Sequence, residues 1–241
     1  MECSSSWATA VERARSAKVS TLTSSSTTGQ LALFGSGAPK IDERFTMLER
    51  ITLEHGAWLD VVRGWLAGHN RIFDLLVQQV AWRSESRVMY DRTVEVPRQY
   101  AVIADGARIH PVLGEMQHAL DRRYATSFER LSVALYRDGR DSVAWHGDYV
   151  ARRMPQALVA TVSIGAPRKF LLRQTGGGKS IALSLGWGDL LVMGGSCQRT
   201  YQHAIPKAAH ADPRIAIMYR PKWKADEPEP PPTDEQAASS V

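Results

Sequence analysis

Among 241 residues, the side chains best suited to chemistry are His146-Gly147-Asp148, with His203 following 55 residues after the aspartate. In an extended segment positions i and i+2 project to one face, so His146 and Asp148 can grip one ion together. His203 would then arrive from a distant strand. Two histidines and one carboxylate form the facial triad of non-haem iron(II) oxygenases, which leaves three coordination positions open for cosubstrate and oxygen. The only cysteines, Cys3 and Cys197, lie too far apart in sequence to suggest a thiolate cage or disulfide framework, so a metal here would rest on His, Asp or Glu. An isolated His-x-Asp is also read as a surface histidine beside a turn aspartate. Eleven residues after His203 begins Arg214-Ile215-Ala216-Ile217-Met218-Tyr219-Arg220, which alternates as a strand. One face carries Ile215, Ile217 and Tyr219. The other carries Arg214, Ala216, Met218 and Arg220, either as ordinary solvated arginines or as two cations lining a cavity for a dicarboxylate.

The elements that must position these groups change character near residue 131. From there short alternating runs recur at Ser132–Tyr136, Ala157–Ile164, Phe170–Arg173, Ile181–Leu185, Asp189–Met193 and Arg214–Tyr219, separated by Gly, Asp, Pro and Ser. This pattern predicts a mainly β fold with flanking helices, a jelly roll or related barrel over 131–222. A mixed segment over 31–130 is expected to buttress it, with helices at Gly56 to Leu66, Arg71 to Val80 and His110 to Tyr124. No internal repeat is visible. Residues 1–30, rich in Ser, Thr and Ala, read as a disordered leader, and the acidic proline tract within 223–241 as an extended tail.

The 44% hydrophobic content suits one globular core. There is no run of about eighteen apolar residues and no apolar secretory segment in the first thirty residues, so a cytoplasmic, nucleoid-associated monomer is expected. The net charge is +5, and because the two terminal segments are together acidic, the body is more basic still. A positive body favours a polyanionic partner such as nucleic acid.

The run from Leu135 through Tyr136, Arg137, Asp138, Gly139 and Arg140 to Trp145-His146-Gly147-Asp148 resembles the AlkB nucleic-acid dealkylases, as does Thr161-Val162-Ser163-Ile164-Gly165-Ala166. The order of His-x-Asp, distant His and Arg-x5-Arg is similar to theirs too, and the resemblance covers about residues 75–221. It implies a double-stranded β-helix core, Fe(II), 2-oxoglutarate and O2. It further implies His146, Asp148 and His203 as iron ligands, Arg214 and Arg220 as arginines holding 2-oxoglutarate, and Tyr136 as its hydrogen-bonding tyrosine. Ala134 and Ala216 stand where many relatives have asparagines toward the cosubstrate.

The activity so implied is oxidative removal of N-alkyl groups from bases in DNA or RNA. A base stacked in a duplex cannot reach such a site, so it must be flipped out or offered on a single strand. Met89 and Tyr90 sit where duplex-acting relatives carry a base-wedging hairpin, and Arg98 resembles a DNA-contacting position, with a plain strand pair as the other reading. Arg168, with Arg152, Arg153, Lys169 and Arg173, would extend a cationic track. Val150 stands where some relatives place an acid near the damaged base. The alternatives are the same oxygenase chemistry on another substrate class, and a catalytically idle nucleic-acid-binding relative.

Overall fold

The structure, a computed structural model, describes residues 37–89, 92–148 and 157–221. The leader, the acidic tail, Tyr90, Val150, Arg152 and Arg153 lie outside the described residues.

Eight strands form one antiparallel sheet in the spatial order β2 (Leu48–Thr52), β3 (Ala57–Val62), β12 (Asp189–Gly195), β9 (Val159–Gly165), β14 (Arg214–Arg220), β7 (Arg130–Tyr136), β6 (Arg92–Ile103) and β5 (Arg83–Met89). Four form a second sheet, β11 (Ile181–Leu185), β10 (Arg168–Gln174), β13 (Tyr201–Ile205) and β8 (Val143–His146). From β7 onward the chain passes back and forth between the sheets. β7, β9, β12 and β14 enter the large one, and β8, β10, β11 and β13 the small one. This exchange is the jelly roll that the alternating runs predict, in the double-stranded β-helix form that the resemblance implies. A short ladder of β1 (Lys40–Ile41) and β4 (Leu66–Ala67) stands apart.

Two helices cover the outside of the large sheet, α1 (His69–Gln79) and α2 (Pro111–Tyr124), close to where helical spacing places them. The His110 ring accepts the Val112 N–H at 3.1 Å, Pro111 suits the first turn, and Ala125 closes α2 in the left-handed region. Ile72, Phe73 and Leu76 of α1 and Val112, Leu113, Met116 and Leu120 of α2 share one core with Val133, Leu135, Val162, Ile164, Ile215 and Ile217. Burying each such side chain contributes about 1.5–3 kcal/mol. A second core fills the space between the sheets, where Ala134, Tyr136, Ala216 and Met218 meet Phe170, Leu172, Leu185 and Ile205. Strand β14 therefore divides as its alternation requires. Ile215, Ile217 and Tyr219 face the helices, and Ala216 and Met218 face the inter-sheet space.

The helix expected at Gly56 to Leu66 is not present. A 3-10 turn at Glu54–Gly56 leads into β3 and then β4. Strand β3 is buried on both faces: Leu59 and Val61 pack between the sheets, while Val62 packs on the helix side. Two-sided burial erases the period of two and leaves an apolar run that mimics helical spacing. Gly139, in the loop leading toward the His-x-Asp segment, has no space for a side chain: a Cβ would collide with the Ala208 carbonyl. The two backbones are tied there by Ala208 N–H donating to Gly139 O at 2.8 Å.

Candidate active site

His146 and His203 face each other as a register pair of β8 and β13, their rings 4.2 Å apart between centroids. The register shifts between this pair and the Ile205 and Val143 pair, and such a bulge re-aims side chains at the rim of a barrel. His146 Nδ1 lies 2.8 Å from the Ala144 carbonyl. A neutral ring with its proton on Nδ1 donates that bond and leaves the Nε2 lone pair free. The His203 ring stacks on Phe170 at 5.3 Å. Asp148 donates its N–H to Gln198 Oε1 at 3.0 Å, and its Oδ2 accepts Arg220 Nε at 3.0 Å. One ligand atom from each of His146, Asp148 and His203 lies within 4.8 Å of the others.

Burial pushes the His203 imidazole down to about 3, with the facing His146 adding to the effect, and burial lowers His146 as well. Burial pushes Asp148 upward, but Arg220 and the two histidines outweigh it and hold the carboxyl well below the usual range. At neutral pH the cluster is thus two neutral imidazoles and one carboxylate, the protonation state a metal ion requires. Mixed nitrogen and oxygen donors of this kind fit Fe(II).

Arg214 enters the inter-sheet space beside Tyr136, its register partner on β7, with the guanidinium 5.2 Å from the ring centroid. Nη2 donates to Ser163 Oγ at 2.7 Å, whereas Nε and Nη1 are buried with no hydrogen-bond partner among the described residues. Burial pushes the Arg214 pKa down, yet a guanidinium keeps its proton. A buried, half-satisfied cation costs several kcal/mol unless an anion joins it. The carboxylate of 2-oxoglutarate fits this demand. Arg220 is occupied by contrast, with Nε on Asp148, Nη1 on Ser132 Oγ at 2.9 Å and Nη2 near Met218 Sδ at 3.4 Å.

Of the residues expected on the substrate side, Met89 ends β5 and pairs with Arg92 in a β5–β6 hairpin. Arg168 is placed otherwise than expected. It is 3% exposed, and its guanidinium donates to the carbonyls of Asp138, Asp141 and Pro206 at 2.8–3.0 Å. That role fastens two loops, the β7–β8 and β13–β14 connections, and does not extend a surface track. Lys169, next to it, is exposed, and Arg173 lies over the Trp145 ring at 4.1 Å. Arg98 points toward Tyr136, and its Nη1 donates to the phenol oxygen at 3.3 Å.

Gln198, Ser132 and Ser163 also contact the site residues, though the sequence motifs assign them no role. The two serines interrupt apolar strand runs on the face shared with the arginines, and that signal was legible. Gln198 lies in the four-residue helix α3 (Cys197–Thr200), too short to show periodicity.

The 2OG-Fe(II) oxygenase superfamily matches residues 75–225, more than half of the chain. The protein therefore belongs to that superfamily, whose members use Fe(II), 2-oxoglutarate and O2. The AlkB resemblance is borne out as well. The chain is 28% identical to "Alpha-ketoglutarate-dependent dioxygenase alkB homolog 3" of Homo sapiens over 171 residues, covering 62% of this chain and 60% of that protein. It is 26% identical to "DNA oxidative demethylase ALKBH2" of Arabidopsis thaliana over 213 residues, covering 70% and 68%. The match thus spans less than two thirds of the alkB homolog 3 relative. Among solved structures, "The structure of OsALKBH1" is similar at TM-score 0.49 and 14% identity, covering 72% of this chain and 100% of that one.

Proposed function

We propose that this protein is an AlkB-type oxidative dealkylase that uses His146, Asp148 and His203 to hold Fe(II), and Arg214 with Tyr136 to hold 2-oxoglutarate, while acting on N-alkylated bases of DNA or RNA. The observation that carries the reading is the pairing of a metal-ready triad with a buried guanidinium that meets no anion among the described residues, both set between the two sheets. Support for the substrate class comes from the relatives named as AlkB homologs and as a DNA oxidative demethylase, and from the basic body.

When bound, Fe(II) with 2-oxoglutarate and O2 supplies oxidation of an N-alkyl C–H bond, with succinate, carbon dioxide and, from a methyl group, formaldehyde as products. The chain's own residues do the arranging. The Ala144 carbonyl fixes the His146 tautomer, the stacked Phe170 limits His203 rotation, and Arg220 with Gln198 steadies Asp148. Phe170, Leu172, Ile205 and Met218 exclude water around them.

Among the described residues no helix is long and apolar enough to cross a membrane, and a cytoplasmic monomer working at the nucleoid remains part of the proposal. The test is mass spectrometry of methylated oligonucleotides incubated with iron, ascorbate and 2-oxoglutarate, with succinate measured in parallel. Loss of methyl mass with stoichiometric succinate supports the reading. Succinate formed without any change in DNA or RNA oligonucleotides would move the enzyme to another substrate class, and no succinate would leave an idle binding protein.

A further inference from the structure

A third arginine faces the same space. Arg98 lies on β6, the neighbour of β7, where Gln99 pairs with Leu135 and Tyr100 with Ala134. By the pleat, Arg98 and Tyr100 share one face, and Tyr100 packs against the inter-sheet core. Just before it the β5–β6 register shifts: Ser84 pairs with Gln99 but Ser86 with Glu95, so β6 carries extra residues around Pro97. Proline cannot donate to a ladder and belongs at such irregularities. The Pro97 carbonyl, freed from β5, accepts the Ser142 N–H at 2.8 Å, and this pins the strand to the loop before the His-x-Asp segment.

Arg98 is thereby fixed facing inward. Nη1 donates to Tyr136 Oη at 3.3 Å, and Nε is buried with no partner among the described residues. The Arg98 charge disfavours protonation of His146, His203 and Arg214, so its guanidinium stands within electrostatic reach of all three. A donor on the phenol oxygen occupies one of its lone pairs, so the Tyr136 hydroxyl proton is directed elsewhere as a donor. Ala134 and Ala216, register partners in the same space, contribute only methyl groups.

We infer, on the cosubstrate reading above, that Arg98 belongs to the 2-oxoglutarate pocket and not to a phosphate-binding surface: it sets Tyr136 as an O–H donor and presents its own Nε to a cosubstrate carboxylate. Arg98 is then a positioning residue for Tyr136 as well as a direct contact. A nucleic-acid phosphate is the competing anion, and the two make opposite predictions.

The experiment titrates 2-oxoglutarate into the Mn(II)-loaded full chain by calorimetry, and separately measures binding of a fluorescent single-stranded oligonucleotide at several salt concentrations. The variants are Arg98→Ala, Arg98→Lys, Tyr136→Phe, the double variant Arg98→Ala/Tyr136→Phe, and Arg214→Ala. Arg98→Ala should weaken 2-oxoglutarate about tenfold, as for loss of one charge-assisted hydrogen bond. Oligonucleotide affinity and its salt slope should stay at the parent values. The double variant should lose less than the product of the two single losses, because one arginine acts partly through the tyrosine. Arg98→Lys, which keeps the charge but not the fork, guards against a folding failure of the alanine variant and should show a smaller loss in the same direction. Parent-like 2-oxoglutarate affinity in both Arg98 variants would overturn the inference, as would a reduced oligonucleotide salt slope without a cosubstrate effect. If Arg214→Ala also binds 2-oxoglutarate normally, the cosubstrate reading itself fails; if only that variant loses affinity, the assignment of Arg98 alone fails.

Discussion

Arg220 Nε and Asp148 Oδ2 stand 3.0 Å apart, and the rest of the Arg220 guanidinium is engaged by Ser132 and Met218, so this arginine serves the metal carboxylate first. Its counterpart six residues earlier on β14 has two nitrogens without a hydrogen-bond partner among the described residues. On the proposed function, the two arginines of one motif divide the work. Arg220→Ala should weaken Mn(II) binding by about 10- to 100-fold, the usual effect of losing a residue that orients a ligand. Asp148→Ala should abolish 2-oxoglutarate turnover, and because it leaves the Arg220 guanidinium buried without its carboxylate it should lower the melting temperature as well. A normal Mn(II) affinity in Arg220→Ala, with cosubstrate affinity lost instead, would return Arg220 to a purely cosubstrate role.

Arg214→Ala should show the reverse split. Metal affinity stays near that of the parent, while 2-oxoglutarate binding falls by about 1.5–3 kcal/mol, roughly 10- to 150-fold. Without cosubstrate the variant should be at least as stable as the parent, because a buried charge lacking an anion is removed. Calorimetry of binding and thermal melts check both halves. A cosubstrate-free variant that melts far below the parent would mean that Arg214 holds the fold together.

The part of the site that could be read in advance follows from period and spacing. Strand β14 alternates because one face meets helices and the other the inter-sheet space that holds the arginines, and that difference is written in Ile215, Ile217 and Tyr219 against Arg214 and Arg220. Strand β3 has no such contrast, since Leu59, Asp60, Val61 and Val62 are all buried, and it reads as a helix. Strand β13, which carries His203, is buried at all five positions and gave no alternating signal either. The direction of an arginine is the least legible feature. Arg98, Arg168 and Arg214 look alike as letters, yet Arg168 caps backbone carbonyls, Arg214 donates to a buried serine, and Arg98 touches a tyrosine.

The histidines give a pH dependence with a definite sign. In the folded, metal-free protein His203 titrates near about 3 and His146 is also lowered, whereas an unfolded histidine titrates near about 6.5. Below that unfolded value the unfolded chain binds more protons, so the stability these groups confer is present above pH of about 6.5 and drains away as pH falls toward about 3. Mn(II) should protect against this acid loss, because it binds only the neutral rings. Melts of metal-free protein at pH 7.5 and pH 5 check the direction, with His203→Leu as the control. A parent whose stability falls no further than that of the variant would remove His203 from the linkage.

Arg168 offers a test of whether basic residues in this chain bind nucleic acid or bind the chain itself. Its guanidinium holds the carbonyls of Asp138, Asp141 and Pro206, and so ties the loop between β7 and β8 to the connection between β13 and β14. Hydrogen bonds from a charged donor contribute about 1.5–3 kcal/mol each and do not add fully. Arg168→Ala should therefore cost more than about 2 kcal/mol, and the melting temperature should drop by about 4–8 °C for a domain of this size. Arg168→Met keeps the stem in place and should lose somewhat less. Because no phosphate is involved, the salt slope of oligonucleotide binding, measured below the melting range, should match the parent. Lys169→Ala, on the exposed neighbour, should leave stability untouched, and only there is a slope change of about one expected if this edge meets the backbone. A stable Arg168→Ala with a reduced salt slope would put Arg168 back on a binding surface and contradict its buried contacts.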